Sequence, residues 1–361
     1  MKKVFLKCYY CNNLGDDLFV KMLCIRYNNK FNLIAIEKFN ENLQLKNLNL
    51  IKINNFIYRC LRKICNMLNK INFFDKLLLN KCDIVVSIGG SLFVESKEKI
   101  INYPSEWYLK TNKPYYIIGS NIGPVYTKKY LDDVRRVLKN SVDTCLRDEY
   151  SYNLCKDISN VRYAPDIIFS LPIKQYIRNE ENTVIFSIID CYKKAGQIKN
   201  PNAKNYEILI KDLICFYQKK NFKIKLFSFC KFEGDEKAIN RIYDQLEDKN
   251  NVSKYFYDGN IDEALDVFSR SKVIIGTRFH ANILGLIMNK VIIPIIYNDK
   301  TENLLYDINF KGIVYDINKL DNYNGLDIDE NKLSYKCDVS KQIKDSQRHF
   351  EKLDKVLKRK D

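Results

Sequence analysis

Residues 271–286 read SKVIIGTRFHANILGL. Val273 to Ile275 is a short run of β-branched residues, the composition of a buried strand. Gly276 stops the run, and Thr277, Arg278, Phe279 and His280 fall on the turn that follows. Ala281 to Met288 then has helical composition. Strand, glycine-bearing turn and helix form the unit from which open α/β sheets are built. Such sheets bind ligands outside the carboxyl ends of their strands. The turn carries the fixed positive charge of Arg278 and, in His280, one of only two histidines in the chain. A strand-end Arg-x-His can serve as an anion site with a proton donor built in. A surface arginine beside a helix-capping histidine is the plainer alternative, and this triplet alone leaves both open.

The same alternation continues on either side. Upstream, Thr183–Ile189, Phe222–Phe229 and Val252–Tyr257 read as strands. Tyr206–Lys219, Glu236–Glu247 and Ile261–Arg270 read as helices. Downstream, Val291–Ile296 is a strand that leads into Tyr297, Asn298, Asp299 and Lys300, then a helix over Thr301–Asn309 and a short strand over Gly312–Tyr315. Leu171–Asn182, LPIKQYIRNEEN, is polar with a proline and reads as a linker. Before it, strands are expected at Lys3–Tyr9, Cys82–Ile88, Tyr115–Ile118, Val142–Leu146 and Val161–Ala164, with helices at Leu18–Tyr27 and Lys128–Lys139. Ser340–Lys358 is a charged helix carrying His349, which is expected to tolerate alanine. Asp83–Phe93 and Ser271–Phe279 rhyme, each a buried strand that ends in glycine and a polar turn. Alternating strands and helices with right-handed crossovers predict two Rossmann-like parallel-sheet domains facing across a cleft. The expected division is 1–172, 173–330 and a C-terminal helical segment, 331–361.

With 361 residues the chain can bury a large core, and 46% hydrophobic with 29% charged residues is ordinary for a globular protein. The formal net charge of +16 favours acidic partners, although the lysines are scattered and compositional bias explains much of the excess. No run reaches the length of a membrane-spanning helix, and MKKVFLKCYY lacks the apolar core of a signal peptide. A cytoplasmic location follows as an expectation, with room for peripheral contact at a membrane's inner face. The twelve cysteines sit mostly in apolar runs, a pattern of reduced, buried thiols. Cys8 and Cys11 form the sole C-x-x-C, too little for a metal or redox site. No metal cluster is evident.

Other strand ends supply further candidates. Asp16 and Asp17, in CNNLGDD, stand where a helix should begin. They are either helix-start charges or carboxylates for substrate hydroxyls. Gly89, Gly90 and Ser91 follow the strand CDIVVSI and let a ligand approach closely. Arg147 ends a strand and is either a second anion clamp or a partner for a carboxylate. Phe56–Leu79 is basic and helical in pattern, with Ile57, Leu61, Ile64 and Leu68 on one stripe and Arg59, Arg62, Lys63 and Lys70 nearby. It reads as a domain helix or as a surface for anionic membranes.

Taken together, NNLGDD, the Gly-Gly turn after CDIVVSI, GSNIGP, LRDEYS, APD, GTRFH and the P-x-x-Y-x-x-K ending at Lys300 resemble the polysaccharide pyruvyl transferases. They occur in that family's order over about residues 10 to 310. Ser91 departs from the third glycine many members carry there. The resemblance implies a fold like the B-type glycosyltransferases. It also implies transfer of pyruvate from phosphoenolpyruvate onto two sugar hydroxyls as a cyclic ketal, with release of phosphate, in the biosynthesis of an exopolysaccharide, capsule or cell-wall glycan. It points to Arg147, Arg278, His280 and Lys300 for donor binding, to His280 for catalysis, and to a glycan acceptor, lipid-linked in some settings. Asp16, Gly90 and Ser91 are the candidates for the acceptor. The chemistry requires neither a metal nor a redox cofactor.

The residue types suit that reaction. Phosphoenolpyruvate carries a carboxylate and a phosphate, either of which arginine can grip with two bonds. An acid must protonate its methylene carbon, and bound anions would favour a protonated imidazole beside them. A glycosyltransferase using a nucleotide sugar is the alternative enzyme, since phosphates there also need Arg and Lys. A non-enzymatic nucleic-acid-binding protein is suggested by charge alone, and no helix-turn-helix, zinc finger or RNP-like motif accompanies it.

Overall fold

The computed structural model describes residues 2–10, 12–36, 45–53, 56–57, 60–61, 64, 73–96, 103–194 and 198–358. The chain forms two compact units. The first comprises Met1–Cys11, Asp16–Ser170 and Lys344–Asp361, and the second comprises Asn12–Gly15 and Leu171–Ile343. The polar stretch after Ser170 is thus where the chain passes from one unit to the other. Of the expected C-terminal segment, 331–343 clusters with the second unit and 344–361 with the first.

The first unit is built on seven strands: β1 (Val4–Lys7), β2 (Phe31–Ile36), β3 (Leu48–Ile53), β4 (Ile84–Ile88), β5 (Tyr115–Ser120), β6 (Asp143–Leu146) and β7 (Val161–Tyr163). All pair in parallel, in the order β3-β2-β1-β4-β5-β6-β7. Strands β4 and β5 are buried along their whole length, as uninterrupted apolar runs require when both faces of a parallel sheet are covered. Helices α1 (Leu14–Arg26), α2 (Phe73–Lys81), α3 (Ser105–Tyr108), α4 (Lys128–Asn140) and α5 (Glu149–Asn153) connect them. In α4, Thr127 caps the first turn by accepting from the Tyr130 amide. Tyr130, Val134, Val137 and Leu138 then lie on one face and bury against Val85 and Ile117 of the sheet. Strands β2 and β3 are not anticipated by the sequence reading. Much of the basic stripe expected from Phe56 onwards, including Arg59, Arg62, Lys63, Leu68 and Lys70, lies outside the described residues.

The second unit has six parallel strands: β8 (Thr183–Ser187), β9 (Lys223–Ser228), β10 (Val252–Phe256), β11 (Val273–Gly276), β12 (Val291–Ile296) and β13 (Tyr315–Asp316). Their order is β10-β9-β8-β11-β12-β13. Counted from its own first strand this is 3-2-1-4-5-6, the doubly wound order, and the first unit begins the same way. Helices α6 (Asn200–Lys219), α7 (Asp235–Asp244), α8 (Ile261–Arg270), α9 (Phe279–Ile287) and α10 (Asp299–Asp307) alternate with these strands. Helix α6 begins at Asn200 rather than Tyr206 because Pro201 sits in its first turn, where a missing N–H costs nothing. Its Tyr206, Leu209, Ile210, Leu213, Ile214 and Tyr217 pack with Val184, Phe186, Ile275 and Ile293.

The chain ends in α11 (Ser340–Ser346), a tight turn over Gln347–Phe350, and α12 (Glu351–Leu357). Within the first unit, Arg26 donates to both oxygens of Asp354 (2.9 and 2.6 Å), and Tyr27 Oη donates to the same carboxylate (2.7 Å). The Arg26 guanidinium also lies 4.1 Å from the centre of the Phe350 ring. No disulfide joins cysteines among the described residues. None of their helices is long and apolar enough to cross a membrane.

Candidate functional site

In each sheet the strand order reverses once, between β1 and β4 and between β8 and β11. Crevices open at such reversals, and they are where ligands bind. In the second unit the turn Gly276–His280 occupies this place. The Thr277 amide donates to the Ser187 carbonyl at the end of β8 (3.2 Å), and the Arg278 amide approaches Ser187 Oγ (3.4 Å). Asn282, one turn into α9, donates from Nδ2 to the Gly276 carbonyl (2.9 Å). A Cβ at residue 276 would fall 2.1 Å from Asn282 Oδ1, so glycine is what lets this turn fold back on its helix. Thr277 Oγ1 and Tyr206 Oη are hydrogen-bonded (3.0 Å), and the tyrosine also accepts from the Ile189 amide (3.3 Å).

Arg278 is 7% exposed. Its Nε donates to Asp235 Oδ2 (3.1 Å) and its Nη2 to Asp235 Oδ1, while Nη1 donates to Glu233 Oε2 (2.6 Å). The two carboxylates differ. Asp235 is fully buried and also accepts from the Phe229 and Cys230 amides (3.0 Å each), so it is built into the end of β9. The Glu233 side chain is 23% exposed and accepts from side chains: Arg278, Lys194 Nζ (2.8 Å) and Asn13 Nδ2 (3.3 Å). Burial opposes charge on Glu233, yet Arg278 and Lys194 hold its pKa down at about 2. Burial likewise opposes the guanidinium's charge, and Asp235 and Glu233 overcome it, raising the Arg278 pKa well above its usual value.

His280, in the first turn of α9, is half-buried. A Cβ on residue 15 would lie 1.9 Å from His280 Nδ1, so the imidazole stands directly against the backbone of Gly15. Gly15 is in the first turn of α1, where its amide donates to Asn13 Oδ1 (3.1 Å), and residues 12–15 belong to the second unit. Within that unit, therefore, residues 12–15 of the NNLGDD motif meet the GTRFH motif. Lys300 is in the first turn of α10, which follows β12, the strand beside β11. The second unit thus gathers Arg278, His280 and Lys300 at neighbouring strand ends.

Arg147, Gly90, Ser91 and Asp16 belong to the first unit. Arg147 is 5% exposed at the end of β6; it donates to Asp166 Oδ2 (3.0 Å) and Asn121 Oδ1 (2.8 Å). A Cβ on Gly90 would fall 2.2 Å from Arg147 Nη1, so the second glycine after β4 makes room for this guanidinium. Arg147 and Gly90, assigned by sequence to donor and acceptor, are neighbours. Ser91 is exposed beside them, and Asp16 is half-buried in the first turn of α1. The APD and GSNIGP motifs supply Asp166 and Asn121.

His349 departs from expectation. It lies in the tight turn before α12, is fully buried, and pairs through Nε2 with the Pro165 carbonyl (2.8 Å). Burial lowers its pKa to about 3, so it is neutral there. Arg162 fastens the same turn by donating to the Arg348 carbonyl and, at 3.1 Å, to the His349 carbonyl. The histidine expected to tolerate alanine is thus a core residue, bonded to the carbonyl of the residue before Asp166. Glu233, Asp235 and Lys194 escape sequence reading altogether. A buried cation demands carboxylates, but nothing local in KFEGDEK shows which arginine they serve.

The fold matches that of UDP-GlcNAc 2-epimerase from Neisseria meningitidis bound to UDP-GlcNAc, with a TM-score of 0.61 at 10% identity over 99% of this chain and 100% of that one. A glycosyltransferase from Rickettsia africae (TM-score 0.48, 11% identity, 89% of this chain and 86% of that one) is a more distant likeness. So is Arabidopsis thaliana UGT89C1 complexed with UDP (0.49, 9%, 99% and 94%). Two parallel α/β sheets of this kind define the B-type glycosyltransferase architecture. No curated protein sequence matches the chain. The family model for polysaccharide pyruvyl transferases matches residues 10–299, and the chain belongs to that family. It is accordingly a transferase, of a family that pyruvylates polysaccharide.

Proposed function

We propose that the protein transfers pyruvate from phosphoenolpyruvate to two hydroxyls of a glycan sugar, closing a cyclic ketal and releasing phosphate. The observation that carries this reading is the Gly276–His280 turn at the reversal of the second sheet, in a chain matched by the pyruvyl transferase family over residues 10–299. His280 would donate a proton to the methylene carbon of the donor. The adjoining carbon, now oxocarbenium-like, takes the first sugar hydroxyl. Phosphate leaves with its bridging oxygen, and the second hydroxyl closes the ring. The two hydroxyl protons replace the one given by His280 and the one carried off on phosphate. Arg278 and Lys300 would fix the donor's anionic groups, and Arg147 remains a candidate for donor binding. Asp16, Gly90 and Ser91 remain the candidates for the acceptor.

The test is phosphate release from phosphoenolpyruvate against a panel of soluble and lipid-linked glycans, with donor affinity measured by calorimetry. His280→Ala should lower turnover by roughly 10²–10⁴-fold, the range for a positioned acid, with little loss of donor affinity. Near-normal turnover in that variant removes His280 as the acid. Stabilisation of the fold by UDP- or GDP-sugars, and none by millimolar phosphoenolpyruvate, would transfer the reading to a nucleotide-sugar glycosyltransferase.

A further inference from the structure

Glu233 occupies an unusual position among the charges of the second unit. One of its oxygens, Oε2, accepts from two cations, Arg278 Nη1 at 2.6 Å and Lys194 Nζ at 2.8 Å. The carboxylate is partly exposed, while the other partner of Arg278, Asp235, is fully buried and pinned by two backbone amides. Glu233 stands on a single tight turn, Lys231–Glu233, and is separated from Asp235 by Gly234 in the left-handed region (φ +94°). Gly234 turns the chain between the two carboxylates, a backbone only glycine adopts freely. Asp235 is held by backbone amides as well as by Arg278, whereas the Glu233 carboxylate is held through the side chains of Arg278, Lys194 and Asn13. A carboxylate oxygen between two cations has the chemistry of a bound carboxylate or phosphate oxygen. It also lies beside the strand reversal where a ligand is expected.

We propose that Glu233 Oε2 holds the seat of one anionic oxygen of the donor, that Lys194 and Arg278 are the cations of that seat, and that Glu233 leaves it when the donor binds. This rests on the donor reading above. It adds Lys194, which no motif singles out, as a donor-binding residue. Glu233 becomes a built-in competitor that keeps Arg278 charged and oriented while the site is empty. Asp235 keeps the guanidinium aimed after the exchange. An incoming dianion can displace the single charge of Glu233, and the apparent affinity is reduced by the fraction of molecules in which Glu233 is seated.

The experiment is calorimetry on the full chain with three probes: phosphoenolpyruvate, inorganic phosphate and UDP-GlcNAc. Four proteins are compared, the wild type, Glu233→Gln, Lys194→Met and the double variant, with Lys194→Arg as the conservative control. Removing the competitor should tighten phosphoenolpyruvate about tenfold, the worth of one charge-assisted hydrogen bond. Lys194→Met should weaken it about tenfold in the Glu233→Gln background, and less in the wild type, where losing the lysine also loosens Glu233. Lys194→Arg should restore most of the affinity. Equal affinity of phosphoenolpyruvate for all four proteins overturns the seat and leaves the donor reading intact. The same pattern with phosphate or UDP-GlcNAc, but no binding of phosphoenolpyruvate, keeps the seat and overturns that donor. No binding of any probe overturns both. Should Glu233→Gln fail to fold, Lys194→Met and Lys194→Arg decide the matter in the wild-type background, where unchanged affinity in both sinks the proposal.

Discussion

Arg278 and His280 were legible because a strand-end Arg-x-His is short, local and rare in a chain with two histidines. Their surroundings were not, since Asp235 and Glu233 reach Arg278 from more than forty positions away. That burial changes how variants must be interpreted. Arg278→Ala would strand a fully buried Asp235, and breaking a buried pair costs about 3–5 kcal/mol. Loss of donor binding in that variant therefore reports folding as much as recognition, so Lys194, with its partly exposed side chain, is the sharper probe. His349 makes a prediction of another kind. Its folded pKa of about 3 lies below the ordinary histidine value, so the unfolded chain takes up this proton first as pH falls. Its contribution to stability is complete above about pH 6.5 and declines from there towards pH 3. Between pH 6.5 and 5 the loss should be about 2 kcal/mol. Denaturation midpoints of the wild type and His349→Gln at both pH values check this. The variant should lack that part of the pH dependence, and parallel slopes would show that His349 titrates normally.

The elements that carry the site are short turns secured by glycine, and here sequence reading was half successful. Gly90 was expected to let a ligand come close, and Gly276 was read only as the end of its strand. Each has a side chain of this chain against it, Arg147 at Gly90 and Asn282 at Gly276. A glycine in sequence announces that something comes close but not what, because the neighbour comes from another element. Gly15 is the most informative case. It lies in the first turn of a helix, where alanine is the better helix former by at most about 1 kcal/mol. Yet a Cβ there would sit 1.9 Å from His280 Nδ1. Gly15→Ala should leave the melting temperature unchanged or slightly raised while the imidazole is forced aside. A displacement of about an ångström at a reacting group can cost on the order of 10²-fold in rate. The expected outcome is thus a fall in turnover of that order with phosphoenolpyruvate affinity retained. Full turnover in Gly15→Ala would mean that the ring's place against Gly15 is irrelevant to the reaction.

Over the entire chain, two parallel-sheet units followed from alternating apolar strands and helices, while their strand orders and strands β2 and β3 did not. Nor did the return of the C-terminus to the first unit. Nothing in the charged sequence after Ser340 names its docking surface, because the anchoring residues, Arg26, Tyr27 and Arg162, lie far back in the chain. The energetics of that return are large. Phe350, Leu353 and Leu357 are buried, and full burial of such side chains contributes about 1.5–3 kcal/mol each. Together they amount to about 5–9 kcal/mol, comparable with the 5–15 kcal/mol by which a whole domain is stable. The Arg26–Asp354 pair and the His349–Pro165 bond would be lost with them. Deleting 344–361 should therefore unfold the first unit while the sheet of the second, which draws no strand from that segment, persists. Hydrogen exchange resolves the two. In the truncated chain, amides of β1, β4 and β5 should exchange as in unfolded polypeptide, and those of β8, β9, β11 and β12 should keep their protection. The opposite result, protection retained in β4 and β5, would show that the first sheet closes its core without the last helix. The bond from His349 to the Pro165 carbonyl would then be an accessory to Asp166 and not a condition for its place beside Arg147.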